Sequence, residues 1–268
     1  MTSALRSEAL APLRDDPAHA AILFDLDGTV APIVHQPSDA VVPEPTRQLL
    51  IEIARRYGVV ACVTGRRASE ARAMVSIGTI TYLGSHGAEL LRAGWTEAVL
   101  DPTLAEWARR IHDFGRQHDT QELRRHRVRL EDKGAIVAFH WRGAPDEDAA
   151  RSAVDAVAAE AENDGLRTHW GRKVLEVRPP VKFNKGVAIA AFLSDADVNA
   201  ALYAGDDRTD LDAFRTLGEL VGEGRLSHAV RVGVSSDEGP EEITREADIV
   251  VDGTDGVREL LELLVADG

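Results

Sequence analysis

Two aspartates separated by one residue follow a short apolar run near the start of the chain. The run Ala21 to Phe24 precedes Asp25, and Asp27 is followed by Gly28, where the chain can turn. A buried parallel strand that ends in carboxylates opens onto the edge where ligands bind. One carboxylate can attack phosphorus while the other protonates the leaving oxygen and later deprotonates water. The alternative is that both only cap the next segment.

A second acidic cluster follows the apolar run Ala201 to Ala204. It consists of Asp206, Asp207 and Asp210. Mg²⁺ binds few protein carboxylates in an octahedral oxygen shell, so Asp25, Asp206 and one main-chain carbonyl would be sufficient. Asp207 and Asp210 then hold these ligands in position without binding the metal, or they cap the helix that follows.

Two short motifs between these clusters offer groups that bind phosphate. Thr64 offers a hydroxyl, and Gly65 and Arg66 offer main-chain amides at the start of a helix. Lys185 offers a mobile positive charge for the oxygens of a transferring phosphoryl group. The sequence has four lysines against 27 arginines, which favours a specific role for a lysine at this place.

Taken in order, these motifs resemble the four motifs of the haloacid dehalogenase superfamily of aspartate-based phosphatases. The matching segments are Phe24-Asp-Leu-Asp-Gly-Thr29, Thr64-Gly-Arg66, Lys185 and Gly205-Asp-Asp-Arg-Thr-Asp210. Longer segments resemble the trehalose-phosphate phosphatase family, namely Tyr82-Leu-Gly-Ser-His-Gly-Ala-Glu89, Val174-Leu-Glu-Val-Arg-Pro-Pro180 with Asn184-Lys-Gly186, and Gly205 to Phe214. The resemblance runs from about Ala21 to the C-terminus and is weakest over 104–168.

The resemblance implies Mg²⁺-dependent hydrolysis of trehalose 6-phosphate through an aspartyl-phosphate. Asp25 is the implied nucleophile, Asp27 the acid and base, and Lys185 the charge that stabilises the phosphoryl oxygens. The implied metal ligands are Asp25, Asp27 and Asp206, and the implied phosphate ligands are Thr64, Gly65, Arg66 and Lys185. Two alternatives stay open: a related phosphatase for sucrose phosphate or another phosphosugar, and a non-catalytic domain that senses the phosphosugar and binds a trehalose-phosphate synthase.

The same resemblance implies sugar contacts from Glu131, Lys133 and Glu176. For Glu131 and Lys133 the alternative is a hairpin turn with solvated charges. Glu176 lies in a strand between two apolar residues, so it faces either solvent or the cleft. His86 stands beside a glycine in a loop and could approach the sugar or only brace that loop.

The elements that must position these residues alternate between strand and helix in the outer parts of the chain. Strands are predicted at 21–27, 59–63, 80–83, 200–204, 229–234 and 249–251, with helices at 43–57, 68–75, 184–193, 211–217 and up to about 265. This alternation favours a doubly wound parallel-sheet core of Rossmann type, over 21–102 and 179–268, behind a polar tail at 1–20.

The pattern changes over 103–178, which predicts an inserted, smaller α/β cap domain. Helices are expected from Asp101 to about Phe114 and over 146–162, and strands over 123–130, 135–141, 166–170 and 173–177. The basic run from Arg124 to Arg129 would place alternate arginines on one strand face, either solvated or attracting an anion.

Composition limits the classes of function that remain. A chain of 268 residues with 44% hydrophobic and 28% charged residues is typical of a folded protein. A net charge of -14 repels a phosphate backbone, so nucleic-acid binding is not expected. Cys62 is the single cysteine, which excludes an intrachain disulfide. Residues 1–20 lack a stretch like a signal peptide and the sequence lacks an apolar membrane span, so we expect a cytoplasmic protein.

Overall fold

A computed structural model of the chain describes residues 3–34, 39–181, 183–236 and 239–266. The chain divides into a large unit, Met1–Val99 with Phe183–Gly268, and a small unit, Leu100–Lys182. The insertion predicted over 103–178 lies within the small unit.

The described part of the chain forms the following strands and helices, in chain order. The strands are β1 Ala20–Phe24, β2 Val59–Val63, β3 Thr81–Gly84, β4 Glu89–Leu91, β5 Val99–Leu100, β6 Arg129–Asp132, β7 Val137–His140, β8 Arg167–Gly171, β9 Val174–Arg178, β10 Ala200–Gly205, β11 His228–Ser235 and β12 Ile249–Asp252. The helices are α1 Ser3–Asp15, α2 Glu44–Arg56, α3 Ala68–Val75, α4 Pro102–His118, α5 Gln121–Arg125, α6 Glu147–Asn163, α7 Lys185–Ser194, α8 Asp210–Gly222, α9 Glu241–Glu246 and α10 Gly253–Val265.

The large unit is built on a sheet with the strand order β12-β11-β10-β1-β2-β3-β4-β5. The strands from β12 to β3 run parallel, whereas β4 is antiparallel to β3. In β1, Phe24 is paired with Ala204 of β10 and with Cys62 of β2. The carboxyl ends of these three strands therefore meet at one edge, which brings together the residues that follow them.

Helices cover both faces of this sheet. Successive β1 residues alternate between two apolar clusters, with Ile22 and Phe24 in one and Leu23 in the other. The first cluster includes residues of α1, α2, α3 and α10, and the second includes residues of α7, α8 and α9. A central strand covered on both faces explains the unbroken apolar run, and the doubly wound prediction is confirmed.

The prediction of a polar tail over 1–20 is wrong for the described residues. Helix α1 occupies Ser3–Asp15, and Leu10 and Leu13 are fully buried. These two leucines are three residues apart, so they lie on one helix face and pack into the first apolar cluster. The short elements β4, β5 and α9 are also additional to the prediction.

The small unit has an antiparallel sheet with the order β6-β7-β9-β8. One face packs against α4 and α6, through a cluster that includes Phe114, Phe139, Val154 and Leu175. The pairing register places Glu131, Ala138, Glu176 and His169 side by side across the four strands. Directly paired residues share a sheet face, so these four residues lie on the face opposite to the apolar cluster.

The predicted strand over 123–130 is wrong over residues 123–128. The Thr120 side chain accepts a hydrogen bond from the Leu123 amide, 3.3 Å away, and this cap begins α5. Arg127 then has a φ of 56°, in the left-handed region, and strand β6 begins only at Arg129. The alternate arginines of this run therefore do not form one strand face.

We expect α1 to contribute to the stability of the large unit. Replacing the fully buried Leu13 by alanine should lower the free energy of unfolding by about 2–4 kcal/mol, because it leaves a cavity. The exposed Glu8 on the same helix provides the control, and Glu8→Ala should change it by about 0.5 kcal/mol or less. Urea unfolding measures both, and equal losses would contradict the packing role of α1.

Candidate active site

The first pair of aspartates lies at the carboxyl edge of the large sheet. Asp25 follows β1, is 6% exposed, and donates its main-chain N–H to the Ala204 carbonyl at 2.9 Å. Gly28 has a φ of 83°, and a Cβ atom there would lie 2.1 Å from Asp206 Oδ2. Glycine is therefore required at this turn, where the β1 loop passes directly against the aspartate that follows β10.

Lys185 links the two acidic clusters. Its Nζ atom lies 2.9 Å from Asp25 Oδ1 and 2.7 Å from Asp210 Oδ1, and the residue is 2% exposed. It is the first residue of α7, where the Asn184 side chain accepts a hydrogen bond from the Val187 amide at 2.8 Å. This cap fixes the helix start and with it the position of the lysine.

Asp210 organises the loop after β10. Its Oδ2 atom accepts hydrogen bonds from the Asp206 and Asp207 amides, each at 2.9 Å. Its Oδ1 atom accepts from Lys185 and from the Tyr203 hydroxyl, at 2.7 and 2.5 Å. Both oxygens are thus engaged by the protein, so Asp210 anchors this turn.

Asp206 and Asp207 lie beside this anchor in different surroundings. Asp206 is buried, and its Oδ1 atom accepts a hydrogen bond from the Thr29 hydroxyl at 3.3 Å. Asp207 Oδ1 accepts two hydrogen bonds from Thr209, through its amide and its hydroxyl, at 2.7 Å each. Asp207 therefore caps the turn into α8, while Asp206 faces Asp25.

The electrostatics of the cluster favour a divalent cation. Oxygens of Asp25, Asp206 and Asp210 lie within 4.8 Å of one another, and Lys185 brings one positive charge to these three carboxylates. Burial raises the pKa of Asp25, although Lys185 opposes this, and burial with the nearby Asp210 raises the pKa of Asp206 to about 7. Burial lowers the pKa of Lys185, but Asp210 and Asp25 outweigh it, so the lysine stays charged. A divalent cation bound to these oxygens would favour their ionised form, and Mg²⁺ prefers carboxylate oxygens.

The Thr64 loop lies next to this cluster, after β2. The Thr64 amide donates to the Leu83 carbonyl at 2.9 Å, and its hydroxyl accepts from the Arg66 amide at 3.1 Å. The Arg66 side chain reaches Asp27, with Nε 2.7 Å from Oδ2 and Nη2 2.6 Å from Oδ1. Arg66 therefore binds the Asp27 carboxylate. The cluster of three carboxylates consists of Asp25, Asp206 and Asp210 and does not include Asp27.

His86 lies against the same loop. It has a φ of 56°, in the turn that follows β3, and its amide donates to the Thr64 carbonyl at 2.9 Å. A Cβ atom on Gly65 would lie 2.8 Å from the His86 ring. Glu89 Oε2 accepts from the Ala68 amide at 2.8 Å, at the start of α3. These contacts brace the loop that holds Thr64.

The small unit brings its three predicted residues together on one face. Lys133 Nζ lies 3.2 Å from Glu176 Oε1 and 3.7 Å from Glu131 Oε2. Arg178 donates to Glu176 Oε2 through Nε at 3.0 Å, and His140 Nε2 lies 2.7 Å from Glu131 Oε2. The hydrogen bond from His140 lowers the pKa of Glu131, aided by Lys133 and against the effect of burial. We call these five residues the charged row.

Three contributors to these sites are additional to the sequence prediction. They are Tyr203 beside Asp210, Arg178 beside Glu176, and His140 beside Glu131. Arg178 lies two residues after Glu176 in β9, so alternation along the strand could have indicated a shared face. The contacts of Tyr203 and His140 depend on how the chain turns between elements, which no local pattern indicates.

A model of the trehalose-phosphatase family matches residues 23–249. The chain belongs to the trehalose-phosphatase family. The match covers the loops after β1, β2 and β10 as well as α7, so it includes every residue of the site in the large unit.

Individual relatives agree with this family. The chain is 32% identical over 208 residues to a probable trehalose-phosphate phosphatase D of Arabidopsis thaliana, covering 73% of this chain and 56% of the relative. It is 31% identical to a probable trehalose-phosphate phosphatase of Sinorhizobium fredii, covering 82% of each. The chain thus spans little more than half the length of the plant relative.

Solved structures share the fold. The C-terminal domain of a Candida albicans trehalose-6-phosphate phosphatase matches with a TM-score of 0.72 at 20% identity, over 97% of this chain and 96% of that one. A haloacid dehalogenase-like hydrolase from Bacteroides thetaiotaomicron matches with a TM-score of 0.62 at 15% identity, over 91% and 98%. The fold is therefore of the haloacid dehalogenase type. Within the described part of the chain, no helix has the length and apolar character needed to cross a membrane.

We expect the Tyr203 hydroxyl to contribute more to the free energy of unfolding than an ordinary buried hydroxyl. Tyr203→Phe removes a hydrogen bond to a buried carboxylate and should cost about 1.5–3 kcal/mol of unfolding free energy. Tyr82 is equally buried and donates to the Ile77 carbonyl at 2.6 Å, so Tyr82→Phe should cost about 0.5–1.5 kcal/mol. Urea unfolding compares the two, and a smaller loss at Tyr203 would contradict a charged Asp210.

Proposed function

We propose that the protein hydrolyses trehalose 6-phosphate to trehalose and phosphate. The observation that carries this proposal is the buried contact between Asp25 and Lys185, 2.9 Å long, beside Asp206 in a member of the trehalose-phosphatase family. This arrangement combines a candidate nucleophile, a fixed positive charge and a candidate metal ligand at one sheet edge. The names of the relatives support the same substrate.

We propose Mg²⁺ as the cofactor. Asp25 and Asp206 would bind it through carboxylate oxygens, and Asp27, whose carboxylate lies on Arg66, through its main-chain carbonyl. Asp210 supports Asp206 through the Asp206 amide, and Asp207 caps the adjoining turn through Thr209. When bound, the ion neutralises phosphoryl charge and lowers the pKa of neighbouring carboxyl groups.

The proposed reaction has two displacements at phosphorus. In the first, an Asp25 oxygen forms a bond to phosphorus as the bond to the sugar oxygen breaks, and Asp27 gives that oxygen its proton. In the second, Asp27 takes a proton from water, the water oxygen attacks phosphorus, and Asp25 is released with phosphate. Lys185, Thr64 and the amides of Gly65 and Arg66 bind the phosphoryl oxygens throughout.

Sugar binding is assigned to the charged row of the small unit. We propose that Glu131, Lys133 and Glu176 bind hydroxyl groups of the disaccharide. Glu176 is 7% exposed yet keeps two cationic partners, Lys133 and Arg178, so its charge is held in place for a hydroxyl donor. His86 braces the Thr64 loop, and a sugar contact from it stays a prediction.

The cellular setting is a separate proposal. We propose a cytoplasmic protein, in keeping with a single cysteine, Cys62, buried within β2. Binding to a trehalose-phosphate synthase stays a prediction. A non-catalytic sensor or a phosphatase for another phosphosugar are the competing functions, and the following assay distinguishes them.

We expect Mg²⁺-dependent phosphate release with a preference for trehalose 6-phosphate. The assay measures phosphate from this ester, sucrose 6-phosphate and glucose 6-phosphate, with Mg²⁺ or with excess chelator. Chelation should abolish turnover, because the carboxylates of Asp25 and Asp206 repel a phosphate dianion without a cation. Full turnover in chelator would refute the requirement for Mg²⁺, and a preference for another sugar phosphate would refute trehalose 6-phosphate as the substrate. No turnover of any ester would support a non-catalytic sensor.

Two asparagine variants should separate the roles of the first aspartate pair. Asp25→Asn removes the nucleophile, and Asp27→Asn removes only the acid and base, so both should be nearly inactive on the sugar phosphate. With an activated aryl phosphate, whose leaving group needs no proton, Asp27→Asn should accumulate phosphorylated Asp25, visible by intact mass. An adduct on the Asp25→Asn protein would show that another residue is the nucleophile.

Loss of Glu176 should harm the natural substrate selectively. Glu176→Ala should lower kcat/KM for trehalose 6-phosphate about 30-fold to 1000-fold, equal to about 2–4 kcal/mol. An aryl phosphate lacks the sugar, so its kcat/KM should change by about threefold at most. Glu147→Ala is the control, because Glu147 pairs with Lys173 in the same unit and should change neither rate. Equal losses on both esters would mean that Glu176 supports the fold.

A further inference from the structure

The Arg66 side chain makes a contact that phosphate binding by its amide does not explain. Its guanidinium binds both oxygens of Asp27, at 2.7 and 2.6 Å, and joins residues 39 positions apart in the sequence. The side chains are 18% and 37% exposed, so the guanidinium is mostly shielded from water. A bidentate pair of this kind fixes the plane of the carboxylate and is stronger than a single-contact pair.

The main chain of Arg66 is fixed on both sides. Its amide donates to the Thr64 hydroxyl at 3.1 Å, and its carbonyl accepts from the Ser85 amide at 2.7 Å. The guanidinium therefore extends from a rigid base, and the loop after β2 holds the loop after β1. Movement of Asp27 is limited to the range that the Arg66 side chain allows.

The charges of the site explain why Asp27 needs such a partner. Asp27 lies two residues from Asp25, and Lys185 already pairs with Asp25 and Asp210, which lie beside Asp206. A fourth carboxylate drawn toward Lys185 or a metal ion would add repulsion and compete with the phosphate for the same positive charges. Arg66 supplies a second positive charge at a separate place, which holds Asp27 apart from the cluster.

We infer that Arg66 is a positioning residue for Asp27, which keeps the acid and base at the edge of the site and aimed at the leaving oxygen. Of its two contacts, one can be exchanged for the leaving oxygen while the other holds the carboxylate. The inference rests on the proposed function, because it assumes that Asp27 serves the sugar oxygen. The competing explanation is that the guanidinium binds the phosphate directly.

The two explanations differ in how they treat the leaving group. In the first displacement, which kcat/KM reports, a residue that acts through Asp27 affects only esters whose leaving oxygen needs a proton, whereas a phosphate ligand affects every ester. The test is therefore to measure kcat and KM for trehalose 6-phosphate and for p-nitrophenyl phosphate, with Mg²⁺ present. The proteins are the wild type, Arg66→Met, Arg66→Lys, Asp27→Asn and the double variant Arg66→Met with Asp27→Asn.

We expect Arg66→Met to lower kcat for trehalose 6-phosphate about 30-fold to 100-fold, within the range that a general acid contributes. Its KM, and kcat/KM for p-nitrophenyl phosphate, should change by about threefold at most. Arg66→Lys keeps the charge without the second contact and should recover part of the loss. In the Asp27→Asn background, Arg66→Met should cause about threefold further loss or less. The effects of two substitutions are not additive when one residue acts through the other.

A matched control tests whether loss of any bidentate arginine pair has this effect. Arg231 on β11 binds both oxygens of Asp248, at 2.9 and 2.6 Å, within the same unit. Arg231→Met removes a pair of the same geometry and should leave the ratio of the two rates unchanged. Urea unfolding of each variant confirms that folded protein is compared.

Several results would overturn the inference. Equal losses of kcat/KM on both esters, or a loss in the double variant equal to the product of the single losses, would assign the guanidinium to the phosphate. Unchanged rates in Arg66→Met would show that the contact has no role in turnover. If the wild type prefers another sugar phosphate, the proposed substrate fails and the same comparison with that ester still tests Arg66. If it hydrolyses no ester, the proposed function and this inference fail together.

Discussion

The buried ammonium group of Lys185, held between Asp25 and Asp210, is the interaction on which the site depends. Removing one partner from a buried ion pair costs about 3–5 kcal/mol, because the remaining charge is left without compensation. Lys185 therefore needs both aspartates, and each aspartate needs the lysine. Asp210 in turn fixes the amides of Asp206 and Asp207, so a single cation determines the geometry of the whole acidic loop.

The parallel sheet makes this arrangement possible. Strands β1, β2 and β10 are neighbours and end at the same edge, so loops distant in sequence meet there without long connections. The strands themselves are apolar and covered on both faces, which leaves the edge as the place for polar chemistry. Two close approaches complete it, because Gly28 and Gly205 each lie where a Cβ atom would overlap an aspartate of the acidic loop.

Sequence patterns predicted the elements whose signals are local. The five residues of β2, the limits of α3 and, to within one residue, those of α7 need only apolar runs and glycine stops. Helix α1 was not predicted, because two buried leucines in a polar segment give a weak pattern and its burial depends on tertiary packing. The strand predicted over 123–130 was wrong over residues 123–128, because the cap at Thr120 and the left-handed Arg127 override strand propensity. The motifs named the residues of the site, but the pairing of Arg66 with Asp27 and of Arg178 with Glu176 depends on where side chains lie in space.

We propose that Lys185 holds Asp25 as a nucleophile, so that the phosphoryl group passes through a covalent intermediate on Asp25. The stereochemical course at phosphorus reveals such an intermediate, using trehalose 6-phosphorothioate made chiral with oxygen isotopes and hydrolysed in labelled water. Each in-line displacement inverts the configuration, so two displacements through Asp25 predict thiophosphate with overall retention. Inversion would contradict the account, because it would mean that water attacks the ester directly and that Asp25 never forms a bond to phosphorus.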